Sequence, residues 1–187
     1  MDPLTQQIVA GYLNLESGES VAIIPSKANG VTLLNCIVYF GDTEGAILQQ
    51  LWLTLEALNK PQKSSLLTFN GRTFVLPCLY LRSSVNRVPI GNFDLLQERY
   101  RPNDHVDLLE AFTFHNITTK PTLLELGEVY GIERPPIPET EQQQLLLSTQ
   151  AAPNPAIWTI LAKNGVVYAK LIMGLGMVWN RTLRRIF

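Results

Sequence analysis

The sequence predicts an α/β domain in which a mixed sheet, three antiparallel strands followed by parallel ones, is flanked by helices. Two observations carry this. Three apolar runs rich in β-formers come first, and the apolar period then changes to a helical one. The runs are residues 7–15 (QIVAGYLNL), 20–25 (SVAIIP) and 31–40 (VTLLNCIVYF). The turn residues Ser17-Gly18 close the first, and the loop Ser26-Lys27-Ala28-Asn29-Gly30 closes the second. Such runs joined by tight turns read as three meandering strands. Ile47, Leu48, Leu51, Trp52, Leu55 and Leu58 then recur at helical spacing, so residues 44–59 are predicted to form an amphipathic helix, with Pro61 just past its end. Residues 64–69 (SSLLTF) follow as a run without alternation, the pattern of a buried parallel strand.

A chain of 187 residues, 46% hydrophobic and 17% charged, is enough for one domain with a real core. The net charge of -1 and pI near 6.1 give no global basic field of the kind that draws nucleic acid. Cys36 and Cys78 lie in apolar runs without metal or redox spacing and read as buried free thiols, which suits a reducing compartment. Residues 1–7 show no basic segment leading into a long apolar one, so no secretory signal is expected and the expected location is cytoplasmic.

The most specific segment is Thr68-Phe69-Asn70-Gly71-Arg72-Thr73-Phe74-Val75-Leu76-Pro77. It resembles the second motif of a DnaQ-like (DEDD) 3'-5' exonuclease of the DNA polymerase B proofreading type, Phe-Asn-Gly-x-x-Phe-Asp-Leu-Pro. The resemblance implies an RNase H-like fold, whose opening order matches three strands, a helix and a buried strand. It continues through a helix at 74–86. His105-Val106-Asp107-Leu108 is similar to the family's His-x-Asp-Leu strand and helix start, and residues 122–132 to a small helix ending in Gly131-Ile132. Residues 133–155 are rich in Pro, Glu and Gln and read as an excursion, with a short helix at 139–149, within a single domain spanning 1–187. Residues 156–183 read as a terminal apolar helix.

The family's chemistry needs four carboxylates holding two Mg²⁺ or Mn²⁺ ions about 4 Å apart. The resemblance places them at Asn14 and Glu16 (an Asp-x-Glu pair in the family), at Val75 and at Gly165. Valine and glycine offer no oxygen to a hard cation. Glu16 is the one carboxylate kept, so the implied chain has no intact catalytic set and no metal. Asn14 and Glu16 equally suit the start of the turn at Ser17-Gly18, and a third reading is that the family's first strand is absent. Asp42-Thr43-Glu44 imitates an Asp-x-Glu pair, but too little chain separates it from Asn70 for the strands required between. It reads as a helix cap with an acid in the first turn. Asp104, His105 and Asp107, with His115 nearby, form a local cluster that reads as capping before the helix at 108–112.

Arg72, Arg82, Arg87, Arg99 and Arg101, with Asn70, are the candidates for contact with a nucleic-acid strand, and Phe93 and Tyr100 for base stacking. Scattered solvated arginines are the plain alternative. The helix at 156–179 is interrupted by Lys163, Asn164 and Lys170, which a membrane span rarely tolerates. Core packing is its plain reading, with peripheral membrane contact or a partner-binding face as the others. Gly174 and Gly176 in it allow close approach of another element. These features predict a catalytically inactive exonuclease-like domain that binds or scaffolds a protein partner in a nucleic-acid-processing complex, with single-stranded nucleic acid as a further partner. An active, divergent metal-dependent 3'-5' exonuclease and a purely structural protein-protein subunit are the alternatives.

Overall fold

The computed structural model describes residues 11–14, 19–25, 28, 31–59, 65–91, 95, 105–115, 117–151 and 154–183. It is an α/β structure with strands and helices in the expected order. Strands β1 (Gly11–Asn14), β2 (Ser20–Pro25) and β3 (Cys36–Gly41) form one sheet in that spatial order. Helix α1 (Glu44–Asn59) leads to β4 (Leu66–Thr68). A single π-helical turn, Gly71–Val75, runs directly into α2 (Leu76–Val85). Strand β5 (His105–Asp107) pairs in parallel with β4, and α3 (Leu108–Phe112) follows it without a break. Helices α4 (Leu123–Val129), α5 (Glu139–Ala151) and α6 (Pro155–Val178) complete the order.

The mixed sheet, antiparallel then parallel, flanked by helices is consistent with an RNase H-like fold, with one correction. Strands β1 and β2 pair antiparallel, Tyr12 opposite Ala22. Strands β2 and β3 pair in parallel, Ile23 opposite Tyr39. The expectation of three antiparallel strands thus fails at the second connection. The reason is its length: residues 26–35 are enough to carry the chain back to the starting end of the sheet, which a tight hairpin does not do.

Strand β2 explains why the two faces separate. Its side chains alternate, so Val21 and Ile23 enter one core and Ala22 and Ile24 the other. The first core is closed by Leu48, Leu51 and Trp52 of α1 and Leu76 and Leu79 of α2. The second is closed by Trp158, Leu161, Ala162 and Val166 of α6, with Leu145 and Leu146 of α5 packed on its edge. A third cluster joins Leu171 and Leu175 of α6 to Val106 of β5 and Leu108 of α3. One long helix therefore supports both sheets.

That span depends on glycine. A Cβ at Gly165 would meet the Tyr12 ring on β1, and one at Gly176 would stand 2.3 Å from Leu67 Cδ1 on β4. The stretch Pro155–Thr182 is long and apolar enough to cross a membrane by length and composition, and 44% of its most apolar window is buried within the fold. The Pro- and Gln-rich stretch holds α5, the helix expected at 139–149, extended by two residues to Ala151. It is fastened to α6 by Asn164, which is fully buried: its Oδ1 accepts from Ile137 N (3.1 Å), and its Nδ2 donates to Ile137 O (3.2 Å) and Gln142 Oε1 (3.1 Å).

Candidate functional site

The motif after β4 makes a sharp turn into a helix, and its residue types follow from that geometry. Asn70 is left-handed (φ 55°, ψ 26°), a conformation that asparagine tolerates better than most residues. Gly71 then passes so close to the strand that a Cβ would stand 2.1 Å from Thr68 Oγ1. Any larger residue would push the turn off β4. Pro77 lies in the first turn of α2, where its missing N–H has no intrahelical partner to lose.

One carboxylate holds this turn. Asp107, at the end of β5, is buried. Its Oδ1 accepts from Asn70 N (2.9 Å) and Leu109 N (3.1 Å), and its Oδ2 accepts from Arg72 N (2.9 Å). It thereby caps α3, as the sequence suggested, and also seats the Asn-Gly turn, which the sequence did not reveal. Beside it the buried His105 Nε2 lies 2.7 Å from Thr68 Oγ1. Burial pushes the imidazole pKa down to about 4; the Arg72 charge adds to this and the Asp107 charge opposes it. His105 is therefore neutral near pH 7 and serves as a hydrogen-bonding link between the two strands. Asp104 and Asn116 lie outside the described residues; His115 is exposed, with φ 61°.

The arginines separate by partner. Arg72 Nε lies 3.2 Å from Glu110 Oε2, and both side chains are largely buried. Arg82 is bound to Glu44 through two guanidinium nitrogens, Nε to Oε1 at 2.8 Å among them, and Asn86 Nδ2 donates to Glu44 Oε2 (3.0 Å). This cluster locks the start of α1 to the end of α2. Glu44 is thus a structural anion, and Thr43 Oγ1 caps α1 by accepting from Ala46 N (3.2 Å), so Asp42-Thr43-Glu44 is a helix start. Arg87 is exposed on a left-handed turn (φ 54°), and Asn70 is exposed as well. Arg99, Arg101, Phe93 and Tyr100 fall outside the described residues.

Of the four positions that the sequence resemblance assigns to metal ligands, Val75 ends the π-helical turn and is 43% exposed. Gly165 is buried in α6, and a Cβ there would lie 2.4 Å from Tyr12 Cε2. Asn14 is the last residue of β1, opposite Ser20, and Glu16 lies outside the described residues. At two of these positions the side chains offer no oxygen to a metal ion: Val75 presents hydrocarbon, and Gly165 has the Tyr12 ring beside it. Among the described residues no group of three His, Cys, Asp or Glu is placed to hold a metal ion. Sequence reasoning missed Tyr12, Thr68 and Glu110. An acid three residues after Asp107 on the same short helix was a usable signal for Glu110, whereas nothing in the sequence paired Tyr12 with Gly165.

Fold and turn together define an exonuclease-type α/β domain. Residues 12–133, more than half of the chain, match the family described as predicted 3'-5' exonuclease related to the exonuclease domain of PolB, and the chain belongs to that family. No curated protein matches it significantly.

Proposed function

We propose that this chain is a catalytically inactive, DEDD-type member of its family that acts in the cytoplasm as a binding or scaffolding subunit of a nucleic-acid-processing complex, without a metal cofactor. The observation that carries the reading is the Tyr12–Gly165 contact. The position that would supply the last-helix carboxylate has lost the carboxylate, and the Tyr12 ring takes up the room for one. Val75 removes a second ligand. A site built on anionic oxygens then has too little charge to offset dehydration of Mg²⁺. What is kept is the scaffold: the Asn70-Gly71 turn, its Asp107 anchor and the long helix beneath both sheets.

The proposed contact region runs from the exposed Asn70 at the turn along α2 to the exposed Arg87 past its far end, with Arg99 and Arg101 in the segment that follows in sequence. Arg72 and Arg82 are neutralised by Glu110 and Glu44 and contribute little to that contact. The test is incubation of the purified chain with single- and double-stranded DNA and RNA in Mg²⁺ and in Mn²⁺. No degradation is expected. Metal-dependent degradation that is abolished by Glu16→Ala or Asp42→Ala would overturn the reading and establish a divergent active exonuclease.

A further inference from the structure

Helix α6 belongs to the core on one side only. Its other side carries Ile160, Lys163, Val167, Lys170 and Met177, spaced so that they fall along one stripe of a helix with 3.6 residues per turn, and Arg181 follows in the π-helical turn Trp179–Leu183 that extends the helix. All are exposed except Val167, which is half-buried. Residues 155–183 contain no aspartate or glutamate. Among the described residues Lys163, Lys170 and Arg181 form no ion pair, and of the two exposed acids on the neighbouring α4, Glu128 is taken by Arg134 and Glu125 closes its own helix's capping box with Thr122. The stripe is therefore uniformly cationic and interleaved with aliphatic side chains.

We propose that this stripe is a docking face for an anionic phospholipid surface, on which the domain rests with α6 parallel to the bilayer plane. Two properties of the stripe must be matched at once. Its two lysines stand about 10 Å apart along the axis, at 1.5 Å per residue, with Arg181 beyond the end of α6, and all three need anionic partners. Its aliphatic side chains need an apolar one. A bilayer surface offers phosphate groups and hydrocarbon at adjacent depths, and lysine stems lie along the boundary while their ammonium groups reach the headgroups. A second copy of the stripe would set lysine against lysine with no acid to answer. A nucleic-acid backbone would answer the charge but leave the aliphatic side chains facing water, and the stripe has no aromatic ring on which a base stacks. The opposite side of α6 is committed to Tyr12, Leu67 and the two cores, so the helix lies on the membrane and does not cross it.

The experiment is co-sedimentation of the full chain with vesicles of phosphatidylcholine alone and of phosphatidylcholine mixed with phosphatidylserine. Binding to the mixed vesicles only, weakening as salt rises, is expected. Replacing both lysines (Lys163→Gln with Lys170→Gln) is expected to weaken it about 25-fold, roughly fivefold per charge removed. Ile160→Ser with Met177→Ser is expected to weaken it as well. Both double variants should keep the wild-type circular dichroism and melting curve, since all four side chains are exposed. Three outcomes would each overturn the proposal: no binding to either vesicle, equal binding to both, or folded variants that bind like the wild type. A fourth would assign the stripe to nucleic acid instead: variants that lose a fluorescent single-stranded oligonucleotide while keeping the vesicles.

Discussion

The ring of Tyr12 on β1 lies against Gly165 on α6 so closely that a Cβ at residue 165 would stand 2.4 Å from Tyr12 Cε2. The Tyr12 side chain is half-buried, and the burial, reinforced by the nearby Cys36, raises its pKa so that it stays neutral at any ordinary pH. The contact joins strand and helix through a packed aromatic face.

Gly165→Ala is therefore expected to destabilise the fold. In an exposed helix interior the same change stabilises by about 1 kcal/mol. Here overpacking costs about 1–3 kcal/mol, so the sign reverses. Urea denaturation measures it, and Tyr12→Ala should remove the conflict: the double variant should lose less than the sum of the two single changes. Gly165→Asp paired with Val75→Asp should leave nuclease activity absent, because the Tyr12 ring keeps the new carboxylate out of place.

Removing the Asp107 carboxylate orphans three main-chain N–H groups at once. Asp107→Ala is expected to cost about 2–4 kcal/mol, combining a lost helix cap with charge-assisted bonds to the turn. Asp107→Asn keeps one acceptor oxygen and should fall between Ala and the wild type. Chemical denaturation monitored by tryptophan fluorescence separates the three.

The buried His105 makes stability depend on acid. Its folded pKa of about 4 lies below the ordinary value of 6.5. The unfolded chain therefore binds more protons between those two values, and stability falls as pH drops from about 6.5 towards 4. The loss attributable to this group is about 3 kcal/mol, complete below pH 4 and absent above about 7. His105→Gln should flatten that part of the pH profile of the denaturation midpoint.

Glu44 and Arg82 form a mostly buried pair, so breaking it from one side leaves an uncompensated charge. Glu44→Gln or Arg82→Met alone is expected to cost about 3 kcal/mol, and Glu44→Leu with Arg82→Met considerably less than twice that. Arg87→Ala should leave the melting temperature unchanged. If the domain holds a nucleic-acid strand, Arg87→Ala should weaken that binding and lower its salt dependence.

Much of the architecture was legible because it rests on local signals. The change from β-rich runs to the helical spacing of Ile47, Leu48, Leu51 and Trp52 located α1. The Asn70-Gly71 pair located the turn because only a narrow set of residues fits a left-handed residue followed by a close approach. The parallel pairing of β2 with β3 was not legible, since a strand's apolar content is the same for either direction. At the candidate site the sequence shows the residue types at Val75 and Gly165, but not what packs against them. Tyr12 and Gly165 are far apart in sequence, and their contact arises only when α6 folds back beneath the sheet. The fates of Arg72 and Arg82 were hidden for the same reason, each depending on an acid from a distant element.

The three amide hydrogens that meet the Asp107 carboxylate, from Asn70, Arg72 and Leu109, share a single acceptor group. None can be exposed to solvent by the departure of that side chain without the other two. Hydrogen exchange at these amides is therefore expected to be coupled, with the end of β4 and the start of α3 opening as one unit although more than thirty residues of chain lie between them. The two segments that meet at Asp107, the turn after β4 and the start of α3, therefore open and close together.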